Sequence, residues 1–166
     1  MKNNTSNYPL DFKTTKNTVI LMFIIFLPFN YIHEAGHLLV CNQMGYQGHI
    51  GITIMYGYTV CEGDTNKSML FRFAGGELAT IVGLVPLLVQ KIRSKPFVCI
   101  TLLSMSLTQL LNALIETFAS NWYLANRIQP TLVMGIAGFT IFIVLLIIFA
   151  RNKKVELEME IIKSND

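Results

Sequence analysis

His33-Glu34-Ala35-Gly36-His37 is the part of this 166-residue chain whose residue types and spacing could do chemistry. On a helix, residues four apart share one face, so His33 and His37 can offer two imidazoles to a single cation. This H-E-x-x-H pattern predicts zinc held by His33 and His37, with Glu34 beside it as the general base. Zinc lowers the pKa of bound water to about 7. Glu34 would take that water's proton and return it to a leaving amine.

A catalytic zinc needs a third protein ligand and one open position. Asp11, Asp64 and Asp166 all lie outside the long apolar stretches, so the third ligand is expected to be a glutamate. Glu116 is the first choice. Gln109, Asn112 and Glu116 fall at i, i+3 and i+7, a polar stripe on an otherwise apolar helix. Such a stripe faces the interior of a bundle, where Gln109 and Asn112 can orient ligands or substrate. The plainer role for the stripe is interhelical hydrogen bonding. Glu77, after Gly75 and Gly76, is the competitor: a ligand, a partner for a histidine, or a partner for Arg72. Gly75, Ala79 and Gly83 recur every four residues, which lets one helix approach another closely.

The elements that must position these residues are membrane spans. Apolar residues make up 52% of the chain and charged residues 14%, against about 25% charged in a soluble domain. Mean hydropathy is +0.50. An ordinary soluble domain is excluded, and 11 Phe and 6 Tyr exclude disorder. A net charge of +3 is too small to suggest nucleic acid. Apolar stretches run over Thr18–Val40, Met69–Gln90, Phe97–Phe118 and Thr131–Ala150. Each is long enough to cross a hydrocarbon core of about 30 Å, and backbone pairing in lipid makes them helices. The expected architecture is all-α and polytopic: a polar tail over 1–17, one transmembrane domain over 18–150, and a charged, solvated tail over 151–166. The first span lacks a small-x-small cleavage pattern and does not read as a removable signal.

Three ionisable residues within five positions of a span are costly. Each costs about 2.5–3.5 kcal/mol even on a lenient scale, and structural zinc binding, at about 10 kcal/mol or more, offsets that. Depth agrees with this. His33 lies roughly 22 Å along its helix from Thr18, and antiparallel spans bring His33, His37, Glu77 and Glu116 into one slab. Lysines and arginines flank both termini and the second loop (Lys91, Arg93, Lys95). The positive-inside rule then predicts cytoplasmic termini, with Trp122 and Tyr123 in the aromatic belt of the opposite face.

The first loop alternates from Ile50 to Val60, with even-numbered apolar residues on one face. This predicts a strand, or a hairpin turning near Gly57. The three cysteines have no close spacing and exclude a disulfide scaffold. Cys41, Cys61 and Cys99 are expected to be small packed residues, and His49 a solvated one.

Helix-borne HEAGH at 33–37 resembles the H-E-x-G-H of the site-2 protease family, the intramembrane zinc metalloproteases. Phe73 to Thr80 is similar to the Gly-rich motif of that family's second core helix, and the alternating loop to its membrane-associated β segment. The resemblance covers about residues 18–118. It implies His33 and His37 as zinc ligands, Glu34 as base, and a transmembrane or membrane-proximal peptide as substrate. It also implies that substrate is unwound and added as a strand to an edge of the β segment. The family's third ligand is usually an Asp, after Asn-x-x-Pro and before Gly. Here Asn112 and Glu116 occupy the corresponding helix, without the Pro and without Asp-Gly. The family's zinc usually lies nearer the cytosol, whereas the charges here place the motif near the other face. Two further readings stay open: an inactive relative that binds partners or regulates, and a membrane zinc peptidase of another lineage that uses Glu77.

Overall fold

Four apolar runs become four helices long and apolar enough to cross a membrane, at Phe12–Gln43, Met69–Leu88, Pro96–Phe118 and Leu132–Asn152. The computed structural model describes residues 12–53, 57–63, 65, 68–125 and 128–165, with the backbone alone over 123–125, 128–131 and 153–165. Residues 1–11, Ile54 to Tyr56, Lys67 and Arg127 lie outside the described residues, as do the side chains of Tyr123 and of the tail beyond Asn152.

Helix α1 (Phe12–Gln43) starts six residues before Thr18, so part of the expected polar tail forms its first turns. It ends at Gly45, whose φ of 84° is the left-handed conformation that stops a helix. The chain then enters a hairpin of β1 (Gly48–Ile52) and β2 (Gly57–Cys61). Helix α2 (Met69–Leu84) opens on Ser68, whose Oγ accepts from Phe71 N at 3.2 Å. It tightens into a 3₁₀ turn, Val85–Leu88, where Pro86 has no N–H to continue the ladder. A short α3 (Gln90–Arg93) leads to α4 (Pro96–Phe118), which starts with Pro in its first turn. After α5 (Ser120–Ala125), α6 (Ile128–Asn165) carries the last apolar stretch and runs on as helix through the expected tail.

The hairpin corrects one expectation. The alternation had placed all even-numbered residues from 50 to 60 on one face. The register is antiparallel, with Ile52 opposite Gly57 and Ile50 opposite Thr59. Paired residues share a face, so parity switches across the turn. Gly57, Thr59 and Cys61 lie with Gly48, Ile50 and Ile52, while Tyr58 and Val60 are exposed on the other side.

Helix α2 packs against both α1 and α4, and α6 lies on α4. Small residues make this possible. A Cβ at Gly36 of α1 would stand 2.9 Å from Gly75 Cα, and one at Gly76 would strike the carbonyl oxygen of Gln109 and stand 2.7 Å from Ala113 Cβ. Phe29, Ala79 and Met105 form one core cluster, and Ile100, Phe142 and Leu146 another. Thr80 on α2 donates to the Gly76 carbonyl at 2.7 Å and lies 3.1 Å from the Ser106 carbonyl on α4. The outward faces carry large apolar side chains such as Phe23, Ile24, Leu70, Leu88, Ile136 and Phe139, the surface a bilayer would cover.

Candidate metal centre

Where α1, α2 and α4 meet, three side chains converge. His33, His37 and Glu116 are all buried, and their ligand atoms lie within 4.8 Å of one another. His33 Nε2 and His37 Nε2 are 3.1 Å apart. Glu116 Oε1 is 3.4 Å from His33 Nε2, and its Oε2 is 3.3 Å from His37 Nε2.

The chemistry of this donor set follows from what lies behind it. His37 Nδ1 is 2.6 Å from the carbonyl oxygen of Phe71. A carbonyl only accepts, so His37 carries its proton on Nδ1 and, when neutral, aims the Nε2 lone pair inward. His33 Nδ1 lies 2.8 Å from Gln109 Oε1 and is held in the same sense. Asn112 Nδ2 donates to Glu116 Oε1 at 2.7 Å. With both imidazoles neutral, two lone pairs and a carboxylate face one point with no proton of their own between them. A cation resolves that repulsion. Ligands about 2.0 Å from a tetrahedral zinc stand about 3.3 Å from one another; the two Nε2 atoms are 3.1 Å apart, and each has its own oxygen of Glu116 within 3.4 Å. The group could hold a metal ion, and its two imidazoles and one carboxylate suit zinc.

The glycine beside this group has a specific reason to be there. A Cβ at Gly75 would collide with His37 Nε2 and stand 2.8 Å from His33 Nε2. If the group holds a metal ion, Gly75→Ala, which deletes no ligand atom, is expected to weaken its binding about 10–100-fold, as misplaced ligands do. Competition with a buffered chelator measures it. Unchanged affinity would show that α2 can retreat without cost.

Glu34, next to His33 on α1, is half-buried and bonds to the hairpin. Thr59 Oγ1 lies 2.8 Å from Glu34 Oε2 and 2.9 Å from the Glu34 carbonyl oxygen. Glu34 and His33 also line a cavity of about 700 Å³ between α1, α4 and α6. Asn30, Gln109 and Asn112 make its polar end, while Phe23, Phe26 and Phe139 belong to its long apolar part.

Glu77 is not among the converging groups. It is exposed on α2, and Arg72 bonds elsewhere: Nη1 donates to Ser120 Oγ at 2.5 Å and to the Thr117 carbonyl at 3.3 Å. Arg72 thereby caps the C-terminal end of α4, where a cation is favoured. Gly76 serves the α2–α4 contact rather than the ligands. His49 is exposed and Cys99 is free and buried, as expected.

The other two cysteines overturn their expectation. Cys41 and Cys61 form a disulfide, with Cα atoms 6.0 Å apart. The hairpin folds β2 back along α1, which brings together residues 20 apart in sequence. Spacing along the chain carries no sign of that return. Thr59 and the Phe71 carbonyl were also missed. The first looked like an unremarkable loop residue, and the second is a backbone group that any residue type would supply.

No protein-family model matches the chain, and neither characterised proteins nor solved structures yield a match.

Proposed function

We propose that this protein is an intramembrane zinc metalloprotease that cleaves membrane-embedded or membrane-proximal peptides. The observation that carries the reading is one juxtaposition. Three inward-facing ligand groups and one separate carboxylate, Glu34, meet beside a largely apolar cavity. A structural zinc site would be closed by four protein ligands. Three ligands with a second carboxylate, Glu34, at the cavity wall suit hydrolysis.

Zinc held by His33, His37 and Glu116 would supply Lewis acidity to a scissile carbonyl and to water near neutral pH. The chain's own residues supply the rest. Glu34 accepts a proton from the attacking water as its oxygen adds to the carbonyl carbon. It returns that proton to the amide nitrogen as the C–N bond breaks. Gln109 and the Phe71 carbonyl hold the two imidazoles in the right tautomer, and Asn112 holds Glu116. The apolar cavity wall receives the substrate's side chains and keeps bulk water away. An unwound substrate segment lying beside β2 would satisfy its backbone there.

The disulfide supports a sidedness. Disulfides persist in oxidising compartments, and Cys41–Cys61 sits at the end of α1 that carries the ligands. This agrees with the positive-inside expectation that the termini are cytoplasmic and the site lies toward the other face.

The test is reconstitution in lipid with a panel of single-span peptides. Expected are about one zinc per chain and cleavage within or next to the spanning segment. A chelator should abolish cleavage and added zinc restore it. Zinc-loaded protein that cleaves nothing across a broad panel would replace this reading with a zinc-binding membrane protein that is not an enzyme.

A further inference from the structure

The hairpin lies along the helix that carries Glu34, and three positions on one face of β2, Gly57, Thr59 and Cys61, all meet that helix. At Gly57, a Cβ would stand 2.6 Å from Glu34 Cγ, so the strand backbone rests against the stem of the side chain. At Thr59, the hydroxyl reaches Glu34 Oε2 at 2.8 Å and the Glu34 carbonyl at 2.9 Å. At Cys61, the strand is bonded covalently to Cys41. Glu34 and Cys41 are seven residues apart, two helical turns on one face of α1. Thr59 and Cys61 are two apart, on one face of β2. The strand is thus stitched to the helix twice, and one stitch ends on the carboxylate itself.

Resting on the protease reading above, we propose that Thr59 is a positioning residue for the general base. Its single proton has two acceptors within reach, and the carboxylate oxygen forms the stronger, charge-assisted bond. Holding Oε2 fixes the rotamer of Glu34 and leaves Oε1 for the water's proton. The packed glycine keeps the stem from swinging toward the hairpin. The disulfide keeps the strand at this distance through each turnover. The H-E-x-x-H motif places the base on the right face of α1 but does not orient its carboxylate. In this chain the hairpin does.

The test uses full-length, zinc-loaded protein in lipid, comparing wild type with Thr59→Val, which keeps the shape and removes the hydroxyl, and Thr59→Ser, which keeps the hydroxyl. Thr59→Val is expected to lower kcat about 10–100-fold, the rate equivalent of one hydrogen bond to a charged group. KM and zinc content should stay as in wild type, and Thr59→Ser should recover most of the rate. Isotope-edited infrared spectroscopy of the Glu34 carboxylate provides a readout that does not need turnover. Its stretching band should shift in Thr59→Val and not in Thr59→Ser. Wild-type kcat and an unshifted band in Thr59→Val would overturn the inference. So would a serine variant as impaired as the valine one. A wild type that cleaves nothing defeats the protease reading instead, and the infrared comparison still decides whether Thr59 holds Glu34.

Discussion

Glu116→Ala is expected to abolish stable metal binding. The two histidines would remain, held through Nδ1 by Gln109 and the Phe71 carbonyl. Their Nε2 atoms, 3.1 Å apart, would lose the anion that lies within 3.4 Å of each. Two neutral ligands do not make a catalytic zinc site, which takes three. Partners that merely orient a ligand cost 10–100-fold in affinity when removed. Losing the only charged ligand should exceed that, with zinc affinity falling by more than about 100-fold. Glu116→Gln should fall between the two, because it keeps an oxygen in place and removes the charge. Equilibrium dialysis against a buffered zinc chelator measures all three. Glu77→Ala is the informative companion. Glu77 is exposed on α2, away from the converging atoms, so its removal should leave zinc affinity within a few-fold of wild type. The opposite pattern, with zinc retained in Glu116→Ala and lost in Glu77→Ala, would hand the third ligand to Glu77.

The choice between these glutamates shows where depth along a span stops being informative. Both lie at about the same level as the histidines, so rise per residue cannot separate them. Azimuth can. Gly75, Ala79 and Gly83 mark the face of α2 that packs against its neighbours, and all three are buried. Glu77 stands two residues from Gly75 and two from Ala79, roughly 200° around the helix from each. It must point away. On α4 the same periodicity puts Gln109, Asn112 and Glu116 on one side, and the structure turns that side toward the histidines.

Helical spacing therefore carried the spans and the polar stripe, because both are local patterns with a fixed period. What it could not carry depends on contacts between segments. The parity of the hairpin is set by how many residues form its turn. The Cys41–Cys61 bond depends on β2 folding back onto α1. The hydrogen bond that fixes the tautomer of His37 ends on a backbone carbonyl, which leaves no mark in the residue type at position 71. Thr59 is the clearest case. Nothing about a threonine in a short strand distinguishes it from any other, until the strand is placed against Glu34.

Glu34→Gln should separate metal binding from catalysis. Glutamine keeps the size of the side chain, and its amide oxygen can still accept from Thr59. It cannot take a proton from water. Zinc content should match wild type, since Glu34 is not among the group that could hold the ion. Cleavage should fall by at least 10²–10⁴-fold, the usual contribution of a positioned general base. Glu34→Asp tests position rather than proton affinity. It retracts the carboxylate by one methylene, so it should lose both the Thr59 contact and most of the rate while keeping zinc. Among the described residues, Glu34 is the one carboxylate lining the cavity, so few groups could take over its role. Measured together, zinc stoichiometry and single-turnover cleavage should give opposite signatures: Glu116→Ala loses the metal and with it the rate, whereas Glu34→Gln loses the rate alone. Full cleavage by zinc-loaded Glu34→Gln would remove Glu34 from the chemistry. Thr59 would then be a contact that ties the hairpin to α1 and nothing more.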